Sequence, residues 1–265
     1  MSLIETFARL EHGFRPFVHA LPAPLAHRIF SAGRTAFSKR FANEVPEPRR
    51  MPRPPIKAWG LEFQFPLWNA GGMFKVGEGY DVVAAQGAGA WVAGTTTSRP
   101  RAGNVKHGIQ WPAVSYPRSG AATNWMGLPN PGHRAVASRI AKMPRHAGCV
   151  VAASVSAEPG LEETIALHEL VEGVKAYVDA GVDVLEINES CPNVPGHHGG
   201  PALDHGLVRR LEYVAQHILA KRDRRIVVVV KFSTDTDATQ LEDLLRTVVA
   251  MGFDGIILGN TSTQY

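Results

Sequence analysis

The residues best equipped for chemistry lie just past apolar runs. In Glu186-Ile187-Asn188-Glu189-Ser190-Cys191-Pro192-Asn193-Val194-Pro195-Gly196 a cysteine follows such a run, flanked by side-chain amides and stiffened by the next proline. A thiol held this way is placed to react. Cys149, inside its own apolar run, suits a small buried hydrophobe instead. Val230-Lys231-Phe232-Ser233 brings a lysine out of the very apolar IVVVVKF, and a lysine so placed meets an anion or pairs with a carboxylate. Asn69-Ala70-Gly71-Gly72-Met73-Phe74-Lys75 joins small residues, which let backbone approach a planar ligand, to a cation within reach of its negative charge. Gly94-Thr95-Thr96-Thr97-Ser98-Arg99-Pro100, Asn124-Trp125-Met126-Gly127-Leu128-Pro129-Asn130 and Gly259-Asn260-Thr261-Ser262-Thr263 add hydroxyls and amides able to donate and accept toward a heterocycle. Each of these stretches read alone is also an ordinary turn.

The elements that must carry them alternate short apolar runs with longer segments of helical period, the rhythm of βα units. The strands expected are Phe65–Ala70, Ala90–Thr96, Cys149–Val155, Asp183–Asn188, Ile226–Phe232 and Gly255–Gly259; the helices between them are Leu161–Ala180, Asp204–Lys221 and Ala238–Met251. Near-continuous apolar strands are those covered on both faces. Six parallel strands with polar motifs at their C-terminal ends suit an open doubly wound sheet or a (β/α)8 TIM barrel, and no GxGxxG follows the first strand to favour the former. On the barrel reading the expectation is a fold truncated after strand six. The connection after the second strand, roughly 50 residues, is long enough to suggest function.

Composition sets broad limits. With 265 residues, 45% hydrophobic and 20% charged, the chain is ordinarily globular. Two cysteines make no disulfide framework and no metal cluster, which suggests a reducing cytosol, and no apolar run is long enough to span a membrane. Residues 1–60 hold 10 Lys/Arg against 4 Asp/Glu. We therefore expect an N-terminal helical arm over 1–43, a Pro-rich connector over 44–58 and a (β/α) barrel, incomplete at its C-terminus, over 59–265. The arm's basic amphipathic stretch Phe14–Phe41 suits an anionic membrane surface or a helical pair packed on the main domain. A cytoplasmic location follows, peripheral on the inner face of the membrane if the first reading holds.

Taken in order from about Phe65 to Thr263, the strand-end motifs resemble the dihydroorotate dehydrogenase family, with SCPNVPG and NxMGLPN the most specific. The resemblance implies a barrel binding flavin mononucleotide (FMN) at its C-terminal face. It implies oxidation of dihydroorotate to orotate in pyrimidine biosynthesis, with hydride passing to flavin N5 and the C5 proton to a base. Carried over by position, Ala70, Gly71, Gly72, Thr95, Ser154, Lys231 and Gly259 would line the flavin. Lys75, Asn124, Asn188, Asn193, Asn260 and Thr261 would hold the substrate. Cys191 would be the base, and Lys231, the second catalytic residue, would favour negative charge on the reduced ring.

The sequence departs from the family pattern at several points. Ser154 stands where the quinone-linked class commonly has asparagine, and Val105-Lys106-His107-Gly108 lacks a Pro-Arg-rich pattern. Cys191 with Val194-Pro195-Gly196 resembles the soluble class, which uses fumarate or a partner flavoprotein; Lys75 and Leu25-Ala26-His27-Arg28 resemble the quinone-linked class. Quinone and fumarate both stand as acceptors, and a homodimer as one assembly; nucleic acid is not an expected partner. A related FMN-dependent dihydropyrimidine dehydrogenase is disfavoured by the lack of CxxC motifs. A barrel remnant that binds without catalysis, or needs a partner chain, is the non-enzymatic alternative.

Overall fold

The computed structural model describes residues 3–41, 54–106, 108–116, 121–190, 205–221 and 226–262, with 44, 45, 47, 48 and 119 between them. Two helices come first, α1 (Leu3–His19) and α2 (Ala23–Phe41), then a hairpin of β1 (Ile56–Ala58) and β2 (Leu61–Phe63). Helix α3 (Tyr80–Ala85) leads into β3 (Ala90–Thr96). The long connection that follows contains two hairpins, β4 (Val105–Lys106) with β5 (Ile109–Gln110) and β6 (Ala113–Tyr116) with β7 (Ala121–Asn124). From there strands and helices alternate: α4 (His133–Ile140), β8 (Val150–Val155), α5 (Glu163–Asp179), β9 (Val184–Asn188), α6 (His205–His217), β10 (Val227–Phe232), α7 (Leu241–Ala250) and β11 (Gly255–Leu258).

Strands β3, β8, β9, β10 and β11 form one parallel sheet in which spatial order follows chain order. A doubly wound sheet reverses its order at a switch point, whereas a barrel wall keeps adding strands on one side. The sheet is therefore of the barrel kind.

Successive residues of a strand face opposite ways, and this period of two divides the sheet's side chains. One set, including Trp91, Ala93, Val151, Ala153, Leu185, Ile187, Val228 and Val230, packs beneath the helices with Leu167, Leu170, Val174, Tyr177, Leu211 and Leu244. The other set, Val92, Val150, Ala152, Val184, Val227 and Val229, packs on Phe63 of the β2 strand and on Trp68. Toward the strands' C-terminal ends this second face changes character. Two residues past Ala152, Val184 and Val229 come Ser154, Glu186 and Lys231, with Asn188 two beyond Glu186. Apolar residues thus close one end of the concave face and leave polar ones at the other.

The expected first strand, Phe65–Ala70, does not form. Only single parallel bridges, Trp68 to Ala90 and Phe74 to Ala93, lie along β3. The reason is local: the Asn69 side chain accepts from Val92 N at 3.0 Å and donates to Val92 O at 2.9 Å, taking the place a strand backbone would occupy. Helices α5 and α7 are shorter at both ends than the sequence suggested, α6 ends at His217, and Leu219–Lys221 is a separate 3₁₀ turn after it. Part of the expected connector is strand, since Ile56–Ala58 is β1.

Helix α2 seats on the β6 strand. Ala26, Ser31 and Phe41 are buried, and Ser31 Oγ donates to Ala113 O at 3.1 Å. Helix α1 buries no residue and meets α2 through Phe7 and Phe41, whose ring centroids are 5.6 Å apart.

Candidate active site

At the polar end of the concave face the strands bring four side chains into one chain of hydrogen bonds. Register sets Ser154 beside Glu186 and Lys231 beside Asn188. Asn188 Nδ2 donates to Thr95 Oγ1 at 2.8 Å, Thr95 Oγ1 lies 2.7 Å from Ser154 Oγ, and Ser154 Oγ donates to Glu186 Oε1 at 2.6 Å. Donor and acceptor roles are forced from both ends. A carboxylate only accepts, so the Ser154 hydroxyl is spent on Glu186 and must itself accept from Thr95. Thr95, having given its proton to Ser154, accepts from the Asn188 amide.

That polarity fixes which way Asn188 faces. With Nδ2 on Thr95, its Oδ1 accepts from Ser190 N at 3.1 Å and from Ser190 Oγ at 2.8 Å. Ser190 Oγ in turn accepts from Asn260 Nδ2 at 2.8 Å, and Asn260 Oδ1 accepts from Thr261 N. Asn124 Nδ2 extends the chain by donating to Thr261 Oγ1 at 3.4 Å. The residue just before Cys191 is therefore tied to strands β3, β9 and the end of β11 at once. Cys191 and Asn193 themselves lie outside the described residues.

Lys231 ends the same network. It is only 5% exposed, and its Nζ stands 3.5 Å from Glu186 Oε1. That exceeds the 2.7–2.9 Å typical of a charge-assisted hydrogen bond, and the Glu186 oxygen is already occupied by Ser154. Among the described residues no hydrogen bond holds the ammonium. Of the two readings of Lys231 the structure shows the carboxylate partner, and the lysine also lines open space.

Two connected cavities open there. The smaller, about 190 Å³, is lined by Gly71, Gly72, Lys75, Thr95, Asn124, Asn188, Lys231, Asn260 and Thr261, with Met126, Gly127 and Leu128. It falls below the ~300 Å³ of pockets for drug-sized ligands and suits a single small ring. The larger, about 1370 Å³, shares Gly71, Asn124, Lys231 and Asn260 and adds Ala70 and Gly259. It then runs out past Ala113, Val114, Ala121 and Ala122 of the β6–β7 hairpin to His27 and Phe30 of α2. At Gly71 an added Cβ would lie 3.0 Å from Glu186 Oε1 and 3.1 Å from Ser154 Oγ, so a side chain there would push the polar cluster by a few tenths of an ångström.

The structure thus gathers Lys75, Asn124, Asn188, Asn260 and Thr261 around one small pocket, with Gly71, Gly72, Thr95 and Lys231 in its wall. Ser154 lies beneath, reaching the site through its hydrogen bonds. Cys149 is elsewhere, buried at the start of β8, where desolvation pushes its thiol up to about 12. Sequence reasoning passed over Glu186, Ser190 and the pair formed by buried Glu189 with Arg210 of α6, 2.9 Å apart. A usable signal existed for Glu186: an acid inside apolar VLEIN, two residues before Asn188 and so on its face, is as conspicuous as Lys231.

The chain is similar to known proteins over most of its length. A family model described as dihydroorotate dehydrogenase matches residues 55–265. The dihydroorotate dehydrogenase (quinone) of Methylococcus capsulatus is 30% identical over 258 residues, covering 96% of this chain and 73% of its own length. That of Parvibaculum lavamentivorans is 30% identical over 217 residues, 81% of this chain and 59% of its own. A crystal structure of DHODH from Eimeria tenella, in complex with ferulenol, superposes with a TM-score of 0.71 at 22% identity, over 92% of this chain and 68% of that one. The barrel-type sheet and the matched sequence lead to one assignment: this chain belongs to the dihydroorotate dehydrogenase family, whose members are FMN flavoproteins and oxidoreductases.

Proposed function

We propose that this protein oxidises dihydroorotate to orotate with FMN and passes the electrons to a quinone. The observation that carries the reading is the small pocket that collects Lys75, three asparagines and two threonines beside the buried ammonium of Lys231. Dihydroorotate is a small ring bearing a carboxylate and amide groups; Lys75 answers the carboxylate, and Asn124, Asn188 and Asn260 can donate and accept to the ring.

FMN suits the adjoining space. A buried ammonium whose nearest carboxylate is 3.5 Å away favours an electron-rich group, and the larger cavity runs along Ala70, Gly71 and Gly259, where small residues admit a flat ring. When bound, FMN supplies the hydride acceptor. The protein's part is to hold and to take a proton. The asparagines orient the substrate ring, and Cys191, next in sequence to Ser190, takes the C5 proton as thiolate. The hydride leaves C6, and the carbon–carbon double bond of orotate forms between the two carbons.

A quinone fits the remaining features better than fumarate. The relatives matched are named for quinone, and the larger cavity runs between apolar hairpin residues and the α2 helix. Helix α1 exposes Leu3, Phe7, Leu10, Phe14 and Phe17 as one stripe, with Arg9 and Arg15 beside it, the composition of a helix that lies in a membrane interface. No described helix is long and apolar enough to cross a membrane.

Purified protein should carry flavin absorption that bleaches on adding dihydroorotate and returns with a short-chain quinone but not with fumarate. Protein that cannot be loaded with FMN, or whose flavin dihydroorotate leaves oxidised, would overturn the activity. Reoxidation by fumarate alone would overturn the acceptor.

A further inference from the structure

We propose that Glu186 is the residue that sets the effective charge of Lys231, and through it the reduction potential of the bound cofactor. The inference rests on the FMN reading above. Glu186 is not among the residues that line either cavity, and it meets the Lys231 ammonium and the Ser154 hydroxyl, so it acts through another group and is a positioning residue.

Three observations converge on it. Glu186 is 5% exposed on the concave face, where its strand neighbours on that side, Val184 below and Val229 across the register, are apolar. A carboxylate there is tolerated only if compensated, and its compensations are the Ser154 hydroxyl at 2.6 Å and the Lys231 ammonium at 3.5 Å. The Ser154 bond holds Oε1 at a stand-off from Lys231, so the two charges attract without the ammonium being drawn into a tight bidentate pair. Lys231 is left facing the cavities.

The consequence for the cofactor follows from charge alone. Reduction adds negative charge to a flavin, and a nearby cation favours it. In a buried site a carboxylate beside that cation offsets much of its field, since screening by water is weak. Glu186 therefore keeps the potential lower than Lys231 by itself would set it. It also makes the protein's reduced state easier to reoxidise by the acceptor. The hydrogen-bond chain from Asn188 through Thr95 and Ser154 ends on this carboxylate, so the same group that tempers Lys231 also fixes the amide facing the substrate pocket.

The test is the midpoint potential of bound FMN in wild type, Glu186→Gln and Glu186→Asp, measured by equilibration with a reference dye. Glu186→Gln should favour reduction by at least tenfold in the two-electron equilibrium, about 30 mV more positive. Glu186→Asp keeps the charge and should stay within threefold of wild type. An unchanged potential in Glu186→Gln would overturn the proposal while leaving the FMN reading intact; wild type without flavin would instead sink that reading. Should Glu186→Gln lose flavin, the apo-protein decides. In the cycle of Glu186→Gln, Lys231→Met and the double variant, melting temperatures must be non-additive, the double variant being more stable than the sum of the single losses predicts. Additive losses would mean the pair is not coupled, and the proposal fails.

Discussion

Replacing Thr95 by valine tests the polarised network at its midpoint. Valine keeps nearly the shape of threonine and removes only the hydroxyl, which lies in a fully enclosed position between Asn188 and Ser154. Two bonds vanish. Ser154 can still donate to Glu186, so its loss is one hydrogen bond, about 1 kcal/mol. Asn188 Nδ2 is left buried with no acceptor, which costs roughly 1–3 kcal/mol. The sum, about 2–4 kcal/mol, corresponds to roughly 4–8 °C in melting temperature for a chain of this size. Asn188 then has reason to rotate, and with it Ser190, so KM for dihydroorotate should rise as well. Thr95→Ser restores the hydroxyl and should recover most of both effects. Scanning calorimetry and steady-state kinetics on the three proteins are the assays. A Thr95→Val protein melting within about 2 °C of wild type, or a Thr95→Ser protein no better than Thr95→Val, would refute the forced donor order.

Two further outcomes are expected. Arg210→Met strands the buried Glu189 carboxylate, and because Arg210 is partly exposed the loss should sit near the low end of the ~3–5 kcal/mol seen for broken buried pairs; Glu189→Leu in the same protein should return part of it in urea denaturation, and no recovery would show that the pair does not act as a unit. His133, enclosed beside Thr96 and Tyr177, is held neutral by desolvation, its imidazole down to about 3 from 6.5. The unfolded chain therefore binds a proton that the folded one refuses as pH falls below 6.5, so stability present at neutral pH is lost on acidification, by about 2 kcal/mol at pH 5. His133→Gln lacks that slope, and equal losses between pH 7.5 and 5.0 in both proteins would show that His133 does not cause it.

The parallel strands were legible because they are covered on both faces and so read as continuous apolar runs: Val227–Phe232 and Ala90–Thr96 sit where IVVVVKF and AWVAGTT announce them. What composition could not separate, a doubly wound sheet from a barrel wall, the strand order separates. The region Phe65–Ala70 misled because Asn69 satisfies β3 with its side chain rather than its backbone, an exchange that leaves no trace in hydropathy. The hairpins of the long connection, two to four residues per strand, are too short for periodicity to register, yet they bring Asn124 and Met126 to the pocket.

Within the site, the residues legible in sequence were those at strand ends, where a polar residue interrupts an apolar run in an exposed-looking loop. The charge of Glu186 inside VLEIN was legible too, but its partners were not, since Ser154 and Lys231 lie on neighbouring strands, 32 and 45 positions away in a register no single segment encodes. The period of two nevertheless relates all of them. Once Lys231 is placed on the concave face, Val229 and Val227 must lie below it on that face, and in β9 Asn188 implies Glu186 and Val184. A strand that turns from valine to glutamate to asparagine along one face passes from core to site in about 13 Å at 3.3 Å per residue. Within that span the carboxylate is deep enough to be shielded from water and near enough to the pocket to govern the lysine that faces it, which is why its charge, rather than its bulk, is what the surrounding residues are arranged to use.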